Sequence, residues 1–352
     1  MRRIGSWLRQ PLARCSFILA KLATGTQKEP EEPLQVGQTV DGDSGRTYTI
    51  EEILKERRDP VICVYRASCQ GKPYLLKNPV PSAFDIRLKM LQPLTQLPHV
   101  RPLEDSITSL KIFVYPFLDG DLLEFAKKNL SPATRRNIVR DALRGLAELH
   151  DHNLAHNDIK PDNIYINYQE NGEDEPIITD VQIGDLEDMV YTQRGGIIGC
   201  VCGNPLWRSP EAWAKARQSS PSDIFSFGLF AIYMVLGEIA MFTTNEEMKA
   251  PDSWRYILRR QVSYFGTREG FRGIIDYLGP DNEFSFRLFK LLKTFTPGNG
   301  MQPLSMWRYD DAEFLDLIAK MTHLDPRGRI TAKEALEHPW FSKELSSARA
   351  VN

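Results

Sequence analysis

The chain has 352 residues, enough for about two domains and for a large core without disulfide or metal staples. Its 42% hydrophobic and 26% charged residues are ordinary for a globular protein and exclude a wholly disordered chain. The net charge of −2 lacks the basic excess of a dedicated nucleic-acid binder, so we expect no nucleic-acid partner.

The first 28 residues differ in charge from the rest of the chain. They carry six arginines and lysines and no acidic residue, interleaved with apolar side chains such as Trp7 and Leu8. This arginine-rich amphipathic composition is typical of a mitochondrial presequence, and a disordered basic extension is the alternative. A proline and glutamate run over 29–33 indicates a linker, so we expect residues 1–35 to form a basic extension and linker.

We otherwise expect an intracellular protein, cytoplasmic by default, with no transmembrane segment. The longest uncharged apolar run, over 224–237, has fourteen residues, whereas a bilayer span needs about 20. This run predicts a buried core helix instead. The five cysteines include no CxxC pair, which favours free thiols in a reducing compartment.

Two regions of different periodicity follow the linker. Short β-rich runs separated by turns predict a small, mostly β unit over 36–117, and helical periodicity predicts an α-rich unit over 118–343, with a tail over 344–352. The predicted strands are 46–50, 61–67, 74–77 and 112–115. The predicted helices are 122–128, 132–150, 221–236, 312–321 and 331–338.

The loop over 156–163 carries the chemistry of the chain. It follows a predicted helix and precedes a short predicted strand over 164–168. In a rigid loop Asp158 can accept a hydroxyl proton, Lys160 can neutralise a transferring phosphoryl group, and Asn163 can ligate a divalent metal. These residue types at this spacing are the equipment of phosphoryl transfer, and a solvated polar turn is the alternative for an isolated match.

Further motifs follow in the order and spacing of the eukaryotic protein kinase family, which the chain resembles over residues 48–342. Asp185 stands 27 residues after Asp158, at the position of that family's metal-binding aspartate. The stretch 203–211 resembles the substrate-docking end of the activation segment, and 324–341 resembles the closing region. The segments Asp-Leu-Glu-Asp and Trp-Arg-Ser-Pro-Glu are similar to those of a divergent fungal Ser/Thr kinase-like group.

The resemblance implies an α+β, bilobal protein kinase fold. The small, mostly β N-lobe would span 36–117, and the larger α-rich C-lobe would span 118–343. Structural roles would fall to His156, Glu211, Asp223 and Arg329. In this arrangement Asp223 holds the backbone of the catalytic loop, and Arg329 pairs with Glu211.

The resemblance also implies the catalytic roles. Asp158, Lys160 and Asn163 would be catalytic residues, and Lys160 favours Ser/Thr over Tyr as the acceptor. Asn163 and Asp185 would hold Mg²⁺, while Lys77 would anchor the α and β phosphates of ATP. A metal cluster of His150, His152 and His156 with Asp151 is an alternative use of the neighbouring histidines.

The nucleotide slot implied by the resemblance is crowded. Its cofactor-binding residues would be Val64, Leu75, Lys77, Pro116, Leu118, Asp121, Tyr165 and Asp185. Leu75 stands where a small alanine is usual and Tyr165 where leucine is usual, so both add volume. After the gatekeeper Tyr115, the Pro116 carbonyl and Leu118 amide would meet adenine, and Asp121 would meet the ribose. We therefore expect nucleotide binding of low affinity.

Two further departures from the family pattern concern the residues expected to hold the phosphates of ATP. The stretch 55–62, which should cover them, contains no glycine, although glycine lets backbone amides approach phosphate closely. Between Asn78 and Leu103 the only acidic residue is Asp85, so it is the candidate partner of Lys77.

The sequence therefore predicts a Ser/Thr protein kinase that uses ATP and Mg²⁺, with protein substrates and a monomeric state. The alternative is a pseudokinase, a binding or scaffold module with little or no nucleotide binding. A small-molecule kinase is a third interpretation, because such enzymes share a similar Asp and Asn loop. The retained catalytic loop favours turnover, and the glycine-free stretch disfavours it.

Overall fold

The computed structural model describes residues 32–58, 61–172 and 174–342. The predictions for a presequence over 1–28 and a tail over 344–352 lie outside these residues. Within the described part, no helix is long and apolar enough to cross a membrane. Cys63, Cys69 and Cys200 are buried free thiols, as predicted for these three.

The N-terminal part folds into a six-stranded antiparallel sheet in the order β1-β2-β3-β4-β6-β5. Its strands are β1 (Thr39–Asp41), β2 (Thr47–Lys55), β3 (Val64–Cys69), β4 (Lys72–Lys77), β5 (Asp105–Ile107) and β6 (Ile112–Pro116). Alternating residues such as Tyr65 and Ala67 on β3 point into a core that includes Tyr48 and Leu76. The four predicted strands are all present, with β2 running five residues past its predicted end.

One helix, α1 (Phe84–Leu91), packs against this sheet. Phe84 stacks on Phe113 of β6, with ring centroids 4.7 Å apart. This contact anchors the first turn of α1 and directs Asp85 outward, because successive residues of a helix point about 100° apart.

The C-terminal part is helical. Its helices are α2 (Leu122–Phe125), α3 (Pro132–Asp151), α4 (Pro210–Trp213), α5 (Ser220–Leu236), α6 (Asn245–Lys249), α7 (Trp254–Phe265), α8 (Arg268–Leu278), α9 (Glu283–Leu292), α10 (Ala312–Met321), α11 (Ala332–Leu336) and α12 (Pro339–Ser342). As predicted, the long uncharged run lies in a core helix, α5, whose residues from Ser222 to Met234 are all buried. The prediction of 312–321 matches α10, whereas the helix predicted over 122–128 ends at Phe125.

Short strand pairs position the loop that carries Asp158. They are formed by β7 (Gly120–Asp121), β8 (Leu154–Ala155), β9 (Ile164–Asn171), β10 (Asp174–Ile183) and β11 (Val190–Tyr191). β9 pairs with β7 and β10, and β8 pairs with β11. The loop over 156–163 is therefore fixed at both ends, because β8 precedes it and β9 follows it.

A buried ion pair joins α4 to the segment after α10. Arg329 Nη1 and Nη2 donate to Glu211 Oε1 and Oε2 at 2.6 and 2.8 Å, and both side chains are fully buried. Ser222 Oγ also donates to Glu211, and Arg329 Nε donates to the His323 carbonyl. The pair predicted from the sequence is thus present, with additional partners on each side.

We predict that Arg329→Leu lowers the free energy of unfolding by about 3–5 kcal/mol, because it leaves the Glu211 carboxylate buried without its cation. Arg327→Leu is the matched control, since Arg327 pairs with Asp325 through a side chain that is 56% exposed. The control should cost less than about 1 kcal/mol. Equal losses for the two variants in urea unfolding would contradict the prediction.

Candidate active site

One buried carboxylate holds the loop over 156–163. Asp223, at the start of α5, accepts hydrogen bonds from the backbone amides of His156 and Asn157, both at 2.7 Å. His150 Nε2 lies 3.1 Å from the same carboxylate. Asn157 has a φ of 63°, in the left-handed region that asparagine tolerates better than most residues. The loop backbone is therefore fixed by α5.

The Asp158 side chain is oriented by three neighbours. Asn163 Nδ2 donates to Asp158 Oδ2 at 3.0 Å and to the Asp158 carbonyl at 2.8 Å. The Asn204 backbone amide donates to Oδ1 at 2.8 Å, and Lys160 Nζ lies 3.1 Å from Oδ2. The structure thus brings together the three residues predicted to be catalytic.

Lys160 also contacts an acid that sequence reasoning missed. Its Nζ lies 3.5 Å from Asp162 Oδ2. Burial alone would lower the pKa of Lys160, but Asp158 and Asp162 outweigh burial and hold that pKa above its ordinary value. Burial raises the pKa of Asp162 to about 6. The sequence signal for this contact was the position of Asp162 inside the 156–163 motif.

The partner of Lys77 differs from the prediction. Lys77 Nζ lies 2.6 Å from Asp185 Oδ1 and 2.9 Å from Glu187 Oε1. Asp85 instead lies 3.4 Å from Lys111, with a side chain that is 64% exposed. The predicted Asp85 partnership is therefore wrong, because the first turn of α1 directs Asp85 away from the cleft.

Arg87 is the residue of α1 that faces this cluster. It is buried, and its Nη1 donates to the Met189 carbonyl. Burial lowers the pKa of Arg87, which Asp188 and Glu187 oppose. Helix α1 thus presents a cation to the segment after β10, and the carboxylate partner of Lys77 comes from that segment.

The pKa values at Lys77 reflect this pairing. Burial works against both charges, yet Lys77 holds the pKa of Asp185 well below its usual range, with a contribution from Lys160. Burial also raises the pKa of Glu187. Asp185 is therefore the stronger acid of the two carboxylates that share the Lys77 amine.

A cavity of about 170 Å³ lies where the nucleotide slot was predicted. Its volume is below the roughly 300 Å³ of the smallest typical ligand pockets. It is lined by Lys55, Ile62, Val64, Leu75, Lys77, Arg101, Tyr115, Tyr165, Asp185, Leu186 and Glu187. Val64, Leu75 and Tyr165 thus lie where the sequence placed them. Leu118 is buried. Asp121 caps α2, because its Oδ1 accepts hydrogen bonds from the backbone amides of Leu123 and Glu124.

Arg101 occupies the edge of this slot where adenine was expected. Its Nε donates to the Pro116 carbonyl at 3.2 Å, and its Nη2 donates to the same oxygen. Its guanidinium lies over the rings of Tyr165 and Tyr115, 4.5 and 5.4 Å from their centroids. The prediction that the Pro116 carbonyl is open to adenine is therefore wrong, because an arginine side chain already donates to it.

The alternative of a histidine metal cluster is also wrong. His150 turns to Asp223, His152 Nδ1 lies 2.9 Å from the Glu148 carbonyl, and His156 Nε2 lies 2.9 Å from the Gly184 carbonyl. Among the described residues, no group of three or more His, Cys, Asp or Glu side chains is arranged to hold a metal ion.

Comparison with known families gives a match to the protein kinase domain over residues 105–341. The matched region begins at β5 and extends to α12, so it includes the loop over 156–163.

Curated relatives agree with this match. A probable cyclin-dependent serine/threonine-protein kinase of Dictyostelium discoideum is 27% identical over 239 residues, which are 66% of this chain and 16% of the relative. The calcium/calmodulin-dependent protein kinase cmkB of Emericella nidulans is 24% identical over 58% of this chain and 40% of the relative. The human dual specificity tyrosine-phosphorylation-regulated kinase 3 is 25% identical over 66% of this chain and 41% of the relative. The matches thus span less than half of these relatives.

Among solved structures, a chain of the yeast RNA Pol II CTD kinase CTDK-1 complex matches with a TM-score of 0.66. The two are 17% identical, and the match covers 91% of this chain and 97% of that chain. This likeness confirms the predicted α+β fold, with a β-rich N-lobe sheet and a helical C-lobe.

We predict that Asp223→Ala destabilises the protein by at least about 2 kcal/mol, because it leaves the buried amides of His156 and Asn157 without an acceptor. Asp151→Ala is the control, since Asp151 forms an exposed pair with Lys333 and should cost less than about 1 kcal/mol. Urea unfolding measures both losses. A loss for Asp223→Ala no larger than that of the control would refute the role of this carboxylate.

Proposed function

The chain belongs to the protein kinase domain family, and we propose that it transfers the γ-phosphoryl group of a nucleoside triphosphate to a serine or threonine hydroxyl of a protein. One observation carries the proposal: Asp158, Lys160 and Asn163 are in mutual contact, with Asp158 oxygens 3.1 and 3.0 Å from the other two side chains. Lys160 is also close enough to Asp185 to lower its pKa, which links this group to the Lys77 pair.

Each side chain has a task in this proposal. Asp158 accepts the proton of the acceptor hydroxyl, and Asn163 keeps the Asp158 carboxylate in place. Lys160 stabilises the charge that develops on the transferred group. Such catalysis is mostly positioning and electrostatic stabilisation, so an ordered set of these groups favours turnover.

The phosphate end of the cleft fits a triphosphate with Mg²⁺. Asn163 and Asp185 supply oxygen ligands of the kind that Mg²⁺ prefers, and Lys77 can hold phosphate oxygens. When bound, Mg²⁺ neutralises charge on the phosphates. With two protein ligands, the remaining coordination would come from phosphate and water, as is usual for this ion.

The base end does not fit adenine in the same way. Adenine offers an amino group, which needs an acceptor, whereas Arg101 already donates to the Pro116 carbonyl. The cleft thus favours binding of the phosphates of ATP and disfavours binding of its adenine base. This observation also supports a second candidate function, a pseudokinase that works as a binding module.

We predict that Asp158→Asn lowers the rate of phosphoryl transfer to a protein substrate by about 10²–10⁴-fold, because amide nitrogen and oxygen cannot accept the hydroxyl proton. Transfer is measured with labelled ATP and, separately, labelled GTP. Glu170→Gln is the control, since Glu170 forms an exposed pair with Lys128. Absence of transfer by the unsubstituted protein with either nucleotide would favour the pseudokinase.

We predict that Glu187→Gln lowers kcat/KM by about 10- to 100-fold, because it removes one of the two carboxylates that hold Lys77 and a charged partner is worth roughly 1.5–3 kcal/mol. Steady-state kinetics on folded variants measure the effect. A larger loss for Asp85→Asn than for Glu187→Gln would restore Asp85 as the partner and contradict the assignment.

A further inference from the structure

We propose that the base slot of the cleft selects a purine with an oxygen at ring position 6, as in guanine, over adenine. The inference rests on the proposed nucleotide-dependent function and names its substrate class. It is carried by the position, hydrogen bonds and charge of Arg101.

Arg101 is held firmly in the slot. Its backbone amide donates to the Ile183 carbonyl at 2.8 Å, and Val100 beside it forms a parallel bridge with Ile183. Arg101 is 5% exposed, and its guanidinium lies over the rings of both Tyr115 and Tyr165. The guanidinium is thus a fixed part of the wall, at the end of β10 that leads into Asp185.

The guanidinium changes the hydrogen-bonding character of that wall. A free Pro116 carbonyl would be an acceptor, but Arg101 Nε and Nη2 both donate to it. A guanidinium has five N–H donors, and one carbonyl oxygen has two lone pairs. Three donors therefore remain for other acceptors, such as the Tyr165 hydroxyl and a bound ligand.

A donor-rich wall discriminates between purines. The amino group of adenine would meet N–H groups, so neither side would have an acceptor. The O6 and N7 atoms of guanine are both acceptors, and arginine paired with these two atoms is the commonest specific contact between proteins and DNA bases.

The charge of Arg101 supports the same choice. Among the described residues no carboxylate lies within ion-pair distance of it, and its partners are the Pro116 carbonyl, the rings of Tyr115 and Tyr165, and the Tyr165 hydroxyl. Burial lowers the pKa of Arg101, which indicates that its charge is incompletely compensated. An oxygen acceptor on the ligand adds compensation, whereas an amino group adds none.

The test compares the affinities of the full chain for GTP, ITP and ATP with Mg²⁺ by isothermal titration calorimetry. ITP has the O6 atom of GTP and lacks its 2-amino group. We expect GTP and ITP to bind with similar affinity and about tenfold or more tightly than ATP, the order of one arginine-to-guanine pair. Arg101→Leu should abolish this preference.

Arg66→Leu is the matched control, because the Arg66 guanidinium lies over Phe117, 5.0 Å from its centroid, beside the same segment. It should leave the ratio of affinities unchanged. ATP binding as tight as GTP, ITP binding like ATP, or no binding of any of the three to the unsubstituted protein would each overturn the inference. If none of the three nucleotides binds but Arg101→Leu binds ATP, then the Arg101 side chain blocks the slot.

The two proposals fail separately. Tight GTP binding without phosphoryl transfer would retain the base preference and reject the kinase activity. Transfer from ATP with no preference for GTP would retain the activity and reject the base preference.

Discussion

The geometry of the cleft depends on the Asp223 carboxylate. It is almost fully buried, and it is compensated by two backbone amides and by His150. A carboxylate in this setting is costly unless it is hydrogen-bonded, so Asp223 favours a loop backbone that presents both amides to it. Because α5 lies in the centre of the C-terminal core, the position of Asp158 is set by packing far from the cleft.

The amines of Lys77 and Lys160 are each paired with two carboxylates. Asp158 and Asp162 surround Lys160, and Asp185 and Glu187 surround Lys77. In the proposed function, a triphosphate would compete with these carboxylates for the two amines, and a divalent cation would offset the added negative charge. Arg101, which also lines the cavity, has no such carboxylate among the described residues.

The sequence predicted the fold, and placed Asp158, Lys160 and Asn163 together, because these signals are local. Asp158, Lys160 and Asn163 lie within six residues, and the apolar run of α5 is continuous. The errors at Asp85 and Pro116 arose from long-range contacts. The bridge between Val100 and Ile183 directs the Arg101 side chain to the slot, and no local pattern marks that pairing.

The carboxylates that pair with Lys77 come from the segment after β10, and this affects how movements are transmitted within the molecule. The pair with Glu187 joins β4 to the segment after β10, and α1 contributes no carboxylate to it. A ligand or protein that displaces α1 would therefore remove no carboxylate from Lys77. Its force would reach the segment after β10 through the hydrogen bond from Arg87 to the Met189 carbonyl.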